Sequence, residues 1–225
     1  MTSLGKNYVD SLKVTGTLNL PPPVSQPLWD RQVSELCQVT SKVAEQSMSQ
    51  AATECKDHYN SNNVTVSCDG TWQRRGYQSK HGISTCLSVV GKNCKVLDYE
   101  IKTKICLKCK IAGKRLKIGS PAHQKWYDNH LKVGECHATY SGTAGSMESQ
   151  GMLDIFQRSQ AKHGLNFTGY LGDDDSKNFA IASAASLYDE PIVKYECCGH
   201  VQNAEEDVQE AGESCEPTER TRFCA

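Results

Sequence analysis

Three runs of alternating side chains, joined by short polar connections, constrain this chain more than any other feature. In Asn63-Val-Thr-Val-Ser-Cys-Asp69-Gly-Thr-Trp72, Val64 and Val66 alternate with small polar residues, the period-two signature of a strand. Gly82 to Val90 and Val96 to Ile105 alternate in the same way, with a short turn at Gly91-Lys-Asn. Strands so connected form an antiparallel meander. The first is expected to end at Asp69, because Gly70 can open a tight turn. A carboxylate there is held by the sheet while its oxygens stay available, although an Asp-Gly pair also serves simply to start a turn.

The flanking segments extend the pattern. Residues 1–27 lead into Asn19-Leu-Pro-Pro-Pro-Val-Ser-Gln-Pro27 and are expected to be an extended leader. From Leu28 to Asn60, Val33, Leu36, Val39, Val43 and Ala44 recur at three- and four-residue steps, which predicts a long amphipathic helix packed on the sheet. Gly145 to Gly164 reads as a helix with Met147, Gly151, Ile155 and Phe156 on one face. A fourth strand over Leu165–Leu171, a helix over Ser176–Leu187 and a fifth strand over Ile192–Cys197 follow. This β-β-β-α-β-α-β order is that of an α/β, ribonuclease H-like mixed sheet flanked by helices. Residues 28–203 would form the domain, and the acidic stretch 204–225 a tail without apolar period.

In that topology the first and fourth strands are neighbours. Asp69 would then meet Asp173, or Asp175, in Tyr170-Leu-Gly-Asp-Asp-Asp-Ser176. Paired strand-end carboxylates at Asp69 and Asp173 suit Mg²⁺ (or Mn²⁺) in phosphoryl transfer. Three consecutive aspartates are also an ordinary solvated turn, and Asp175 can cap a helix.

The chain has twelve cysteines and a net charge of −1. Its first residues lack the apolar core of a signal peptide, and no run of about 18 apolar residues suggests a membrane span. The expected compartment is therefore reducing, where clustered cysteines read as metal ligands rather than disulfides. Residues 106–140 interrupt the strand pattern as an insertion. Within it Cys106-Leu-Lys-Cys109, His130 and Cys136 have the spacing of a structural Zn²⁺ site, with His123 and His137 as competing ligands and free or redox-active thiols as the other reading. Cys197 and His200 form a further Cys-x-x-His pair. Lys92–Lys117 is rich in cations, a surface for nucleic acid or simply a solvated face.

Several blocks occur together in a known order: Leu20-Pro-Pro-Pro-Val-Ser, Cys-Asp69-Gly-Thr-Trp-Gln-Arg-Arg-Gly76, Cys106-x-x-Cys109, Glu135-Cys-His-Ala-Thr-Tyr-Ser-Gly-Thr-Ala-Gly-Ser-Met-Glu148, Tyr170-Leu-Gly-Asp-Asp-Asp-Ser-Lys177 and Glu196-Cys-Cys-Gly-His-Val-Gln202. Over roughly residues 15–203 the chain resembles the Mutator-like transposase domain. The resemblance implies a cut-and-paste DNA transposase with an Asp-Asp-Glu metal triad, acting on transposon ends and target DNA in the nucleus, as a homo-oligomer or alone. Asp69 matches the first acid, Asp173 or else Asp175 the second, and Cys197 with His200 the family's Cys-x-x-His. The final glutamate lies well beyond that pair in the family, whereas this sequence ends soon after it. The expectation is a fold truncated at its C-terminal side, with Glu205, Glu206, Glu210 and Glu213 available but none marked as the third acid. A DNA-binding derivative without catalysis is the alternative.

Overall fold

The alternating runs become a five-stranded mixed sheet. The computed structural model describes residues 7–74, 79–90, 94–172 and 176–196. The chain divides into two units, Met1–Ser47 and Met48–Ala225. In the first, helix α1 (Tyr8–Thr17) starts on a capping box: the Asn7 side chain accepts from the Asp10 N–H and the Asp10 carboxylate from the Asn7 N–H. Tyr8 lies edge-on to Trp29, with ring centroids 5.8 Å apart. These local contacts correct the expectation of an extended leader.

Helix α2 (Gln26–Tyr59) runs through both units, with Pro27 in the first turn where no N–H is needed. Leu36, Val39 and Val43 are exposed, so the predicted apolar stripe is not a core face along its whole length. Burial begins at Met48 and continues through Ala51, Ala52 and Cys55.

The strands are β1 (Asn63–Trp72), β2 (His81–Ser88), β3 (Val96–Thr103), β4 (Asn166–Gly172) and β5 (Val193–Glu196), in the order β3-β2-β1-β4-β5. β2 is antiparallel to both β1 and β3, while β4 is parallel to β1 and β5. Between β3 and β4 lie helices α3 (Leu107–Leu116), α4 (Pro121–Lys132) and α5 (Ala144–His163), and between β4 and β5 helix α6 (Ser176–Ala184).

One face of the sheet is buried. Val64, Val66 and Cys68 of β1 join Ile155, Phe156 and Met152 of α5 in the core. The ring of Phe156 lies edge-on to Phe167 at 5.4 Å. An extra residue, Thr168, bulges from β4, because Val64 pairs with Phe167 but Thr65 with Gly169. Phe167 and Tyr170, three apart, therefore both face the core. On the other face Ile83, Tyr99, Ile101, Val193 and Tyr195 are exposed.

Helix α5 is fixed to β3 by charge. Asp98, wholly buried, accepts from Arg158 Nε at 2.8 Å and Lys162 Nζ at 2.7 Å, and His163 Nε2 lies 3.3 Å away without hydrogen-bond alignment. Arg158 also bonds Glu100, and Lys102 bridges Glu100 and Asp154. Burial alone would raise the Asp98 carboxyl; His163, Arg158 and Lys162 outweigh it and hold it well below the usual carboxylate range. A depressed folded-state pKa contributes stability above the unfolded value, about 3.9, that is lost as pH falls through the folded one. Arg158→Met should cost about 3 kcal/mol at neutral pH by stranding buried charge. In urea unfolding the deficit should narrow below about pH 4 as the variant's Asp98, no longer held by Arg158, begins to protonate; an unchanged midpoint at pH 7 would contradict this account.

Candidate functional site

Two separate constellations carry chemistry. The first lies on β1, which does not end at Asp69 but continues to Trp72, with Asp69 opposite Thr85. This corrects the expected strand end. Asp69 is exposed and, since Val64, Val66 and Cys68 are buried, its side chain belongs to the opposite face. Its Oδ1 accepts the Gly70 N–H at 2.7 Å, so the carboxylate leans along the strand toward Gly70.

Gly70 is where Glu148 of α5 arrives. A Cβ on residue 70 would lie 2.3 Å from Glu148 Cδ and 2.6 Å from Oε2. Only glycine leaves this carboxylate room against β1, on the face opposite to the one that alternation gives the Asp69 side chain. Asn178 of α6 donates to Glu148 Oε1 at 2.7 Å, and Ser84 donates to its backbone carbonyl at 3.1 Å. The Asn178 carbonyl in turn accepts from Ser149, which fixes the amide. Burial pushes the nearby Tyr170 hydroxyl up, with Cys68, Cys86 and Glu148 adding to the effect. Sequence reasoning missed Glu148; its only signal was its place at the end of the Glu135–Glu148 block, and the packing of α5 on β1 supplies the rest.

Asp173, Asp175, Cys197 and His200 lie outside the described residues, as do Glu205, Glu206, Glu210 and Glu213. The pairing of β1 with β4 runs as far as Ser67↔Leu171, two residues before Asp69 in β1; in the sequence Asp173 follows Leu171 by two.

The second constellation is the Cys/His group. Ligand atoms of Cys106, Cys109, His130 and Cys136 lie within 4.8 Å of one another. Cys106 Sγ is 3.4 Å from His130 Nε2, and Cys109 Sγ is 3.7 Å from Cys136 Sγ. A tetrahedral Zn²⁺, with bonds of about 2.3 Å to sulfur and about 2.0 Å to nitrogen, has edges of about 3.5 Å (S–N) and about 3.8 Å (S–S). The donor set and its spacing fit zinc. His123 instead stacks on Tyr127, with ring centroids 6.2 Å apart.

Local structure explains the convergence. Cys106 is the N-cap of α3, Cys109 lies in its first turn, and His130 is in the last turn of α4, a helix started by Ser120 and Pro121. Burial would raise the Cys106 thiol, but donation from the Cys109 and His137 backbones and from His130 brings it to about 6. Cys109 is pushed up to about 12 by burial and by its neighbours Cys106 and Cys136, crowding that a cation would relieve. The His130 ring stacks on Trp126 at 4.7 Å. Its Nδ1 faces Glu135 at 3.7 Å, which Lys108 holds at 2.6 Å.

Cys106→Ser should abolish stoichiometric zinc retention. Glu135→Gln should weaken zinc binding by about 10- to 100-fold, the usual cost of losing the group that orients a ligating histidine. Chelator competition measures both, and unchanged retention in Cys106→Ser would exclude this ligand set.

No helix among the described residues is long and apolar enough to cross a membrane. The eight cysteines among the described residues are free of disulfides. No curated protein and no solved structure matches the chain. The description of one family, Mutator-like transposase, matches residues 1–222. With nearly its whole length so matched, the chain belongs to the Mutator-like transposase family.

Proposed function

We propose that this chain is a metal-dependent DNA strand-cleavage and strand-transfer domain of the ribonuclease H-like kind, centred on Asp69, Glu148 and Asp173. The observation that carries the reading is the Glu148 carboxylate over Gly70, one residue from an exposed Asp69 in the middle strand of the sheet. Family membership and the strand order support it. So does the parallel pairing of β1 with β4, which runs as far as Ser67↔Leu171.

The donor set suits Mg²⁺ or Mn²⁺: hard carboxylate oxygens, with Glu148 seated in the space that the missing Cβ of Gly70 leaves. Bound there, the metal would supply Lewis acidity at phosphate and lower the pKa of an attacking water or 3′-hydroxyl. The chain's own contribution is positional. Asn178 holds the Glu148 carboxylate, and the Gly70 N–H holds Asp69. Asp69 stands on a strand and Glu148 on a helix rather than on loops, which limits their reorganisation when a phosphodiester arrives. Zinc at Cys106, Cys109, His130 and Cys136 would be structural, since four protein ligands leave no open position. A DNA substrate implies action in the nucleus.

A plasmid-nicking assay in Mg²⁺ and Mn²⁺ tests the reading. Asp69→Asn and Glu148→Gln should each reduce nicking on the order of 10³-fold, corresponding to several kcal/mol of lost charge stabilisation. Glutamine can still accept from Asn178, so the fold should survive. Full nicking in Asp69→Asn would remove Asp69 from the site, and full nicking in Glu148→Gln would remove Glu148. Folded wild-type protein that never nicks would favour the alternative of a DNA-binding derivative.

A further inference from the structure

We infer that the α3–α4 module is a docking surface for the phosphate backbone of duplex DNA, presented by its metal cluster. The inference rests on the reading of the chain as DNA-acting and adds which surface holds the duplex.

From Lys104 to Lys132 the sequence has eight Lys and Arg residues, against Asp128 as the only acidic residue, in a chain of net charge −1. In the sheet domain the cations are largely partnered: Lys95 with Glu54, Lys102 with Glu100 and Asp154, Arg158 and Lys162 with Asp98. In the module, among the described residues, Lys108 is the cation with an ion pair, to Glu135. Lys110, Lys114, Arg115, Lys117, Lys125 and Lys132 are exposed without one.

A solvated face and helix-end charge compensation are the competing explanations. The second accounts for Lys114, Arg115 and Lys132, which sit in the last turns of α3 and α4. It leaves Lys110, Lys117 and Lys125. A merely solvated face has no reason to exclude acids, and Lys110 with Lys114 forms an i,i+4 like-charge pair that weakens a ten-residue helix already too short to stand alone. Burial offers little in return, since α3 buries Ala112 and α4 buries His130. The four metal ligands join the start of α3 to the end of α4, so the metal substitutes for a core. A helix pair held together in this way, carrying uncompensated positive charge, matches a polyanion.

The test uses the full zinc-loaded chain and a fluorescent duplex of arbitrary sequence, with anisotropy followed over a range of salt concentrations. The variant Lys110→Gln/Lys114→Gln/Lys117→Gln should bind at least about tenfold more weakly at low salt. Its slope of log K against log salt should be shallower by about two to three, one unit per lost phosphate contact. Zinc content and thermal unfolding of the variant confirm that it is folded. Stripping the wild type of zinc should produce a comparable loss. If wild-type protein binds duplex and the folded variant keeps both affinity and slope, this surface is excluded, and the exposed Leu107, Ile111 and Ile118 beside it would point to a protein partner. If wild-type protein binds no duplex at low salt, the DNA reading itself falls, whatever the surface.

Discussion

The charge ladder between α5 and β3 sets the position of everything that matters in the sheet domain. Asp154, Arg158 and Lys162 recur at helical spacing and meet Asp98, Glu100 and Lys102, which recur at strand spacing. Two periods that match at three rungs leave little freedom for α5 to slide or roll. Ten residues before Arg158, roughly 15 Å along the helix, Glu148 is delivered to Gly70. Gly151 assists from the middle, since a Cβ there would lie 2.5 Å from Ser84 Oγ. Buried ion pairs are weak as net stabilisers, but they are demanding about geometry. Here that demand locates a carboxylate.

The α3–α4 module has a different route to order. The sheet has aromatic and aliphatic side chains to bury, whereas residues 106–136 supply little beyond Cys106, Ala112 and His130. Coordination by the Cys/His group, as proposed, would replace area. Much of the module's surface is then free of packing duties and can carry lysine.

Much of the architecture was legible because period-two and period-3.6 patterns are strong where one face is buried. All five strands and the helices at 145–164 and 176–187 appear near their expected positions. The departures have identifiable physical origins. Prolines at 21–23 masked the Asn7–Asp10 capping box just before them. Gly70 was ambiguous, since glycine serves equally for a turn and for close approach, and only the arrival of Glu148 decides between them. Among three histidines, His130 was separable only with α4 in hand: His123 lies two turns earlier, about 10 Å away along the axis, and His137 presents its backbone to Cys106. Leu36, Val39 and Val43 show that an apolar stripe predicts a helix more reliably than it predicts what the helix covers.

The bulge at Thr168 gives β4 a change of parity partway along its length. Before it, odd-numbered residues face the core, as Phe167 does; after it, even-numbered residues do, as Tyr170 does. Every described position of β4 beyond the bulge inherits this offset. Which way β4 faces beyond the bulge is thus set by a residue count upstream of it. A deletion at Thr168 would leave every acidic side chain in the sequence yet turn the strand's downstream end inside out, so the proposed chemistry would depend on chain length as much as on residue identity.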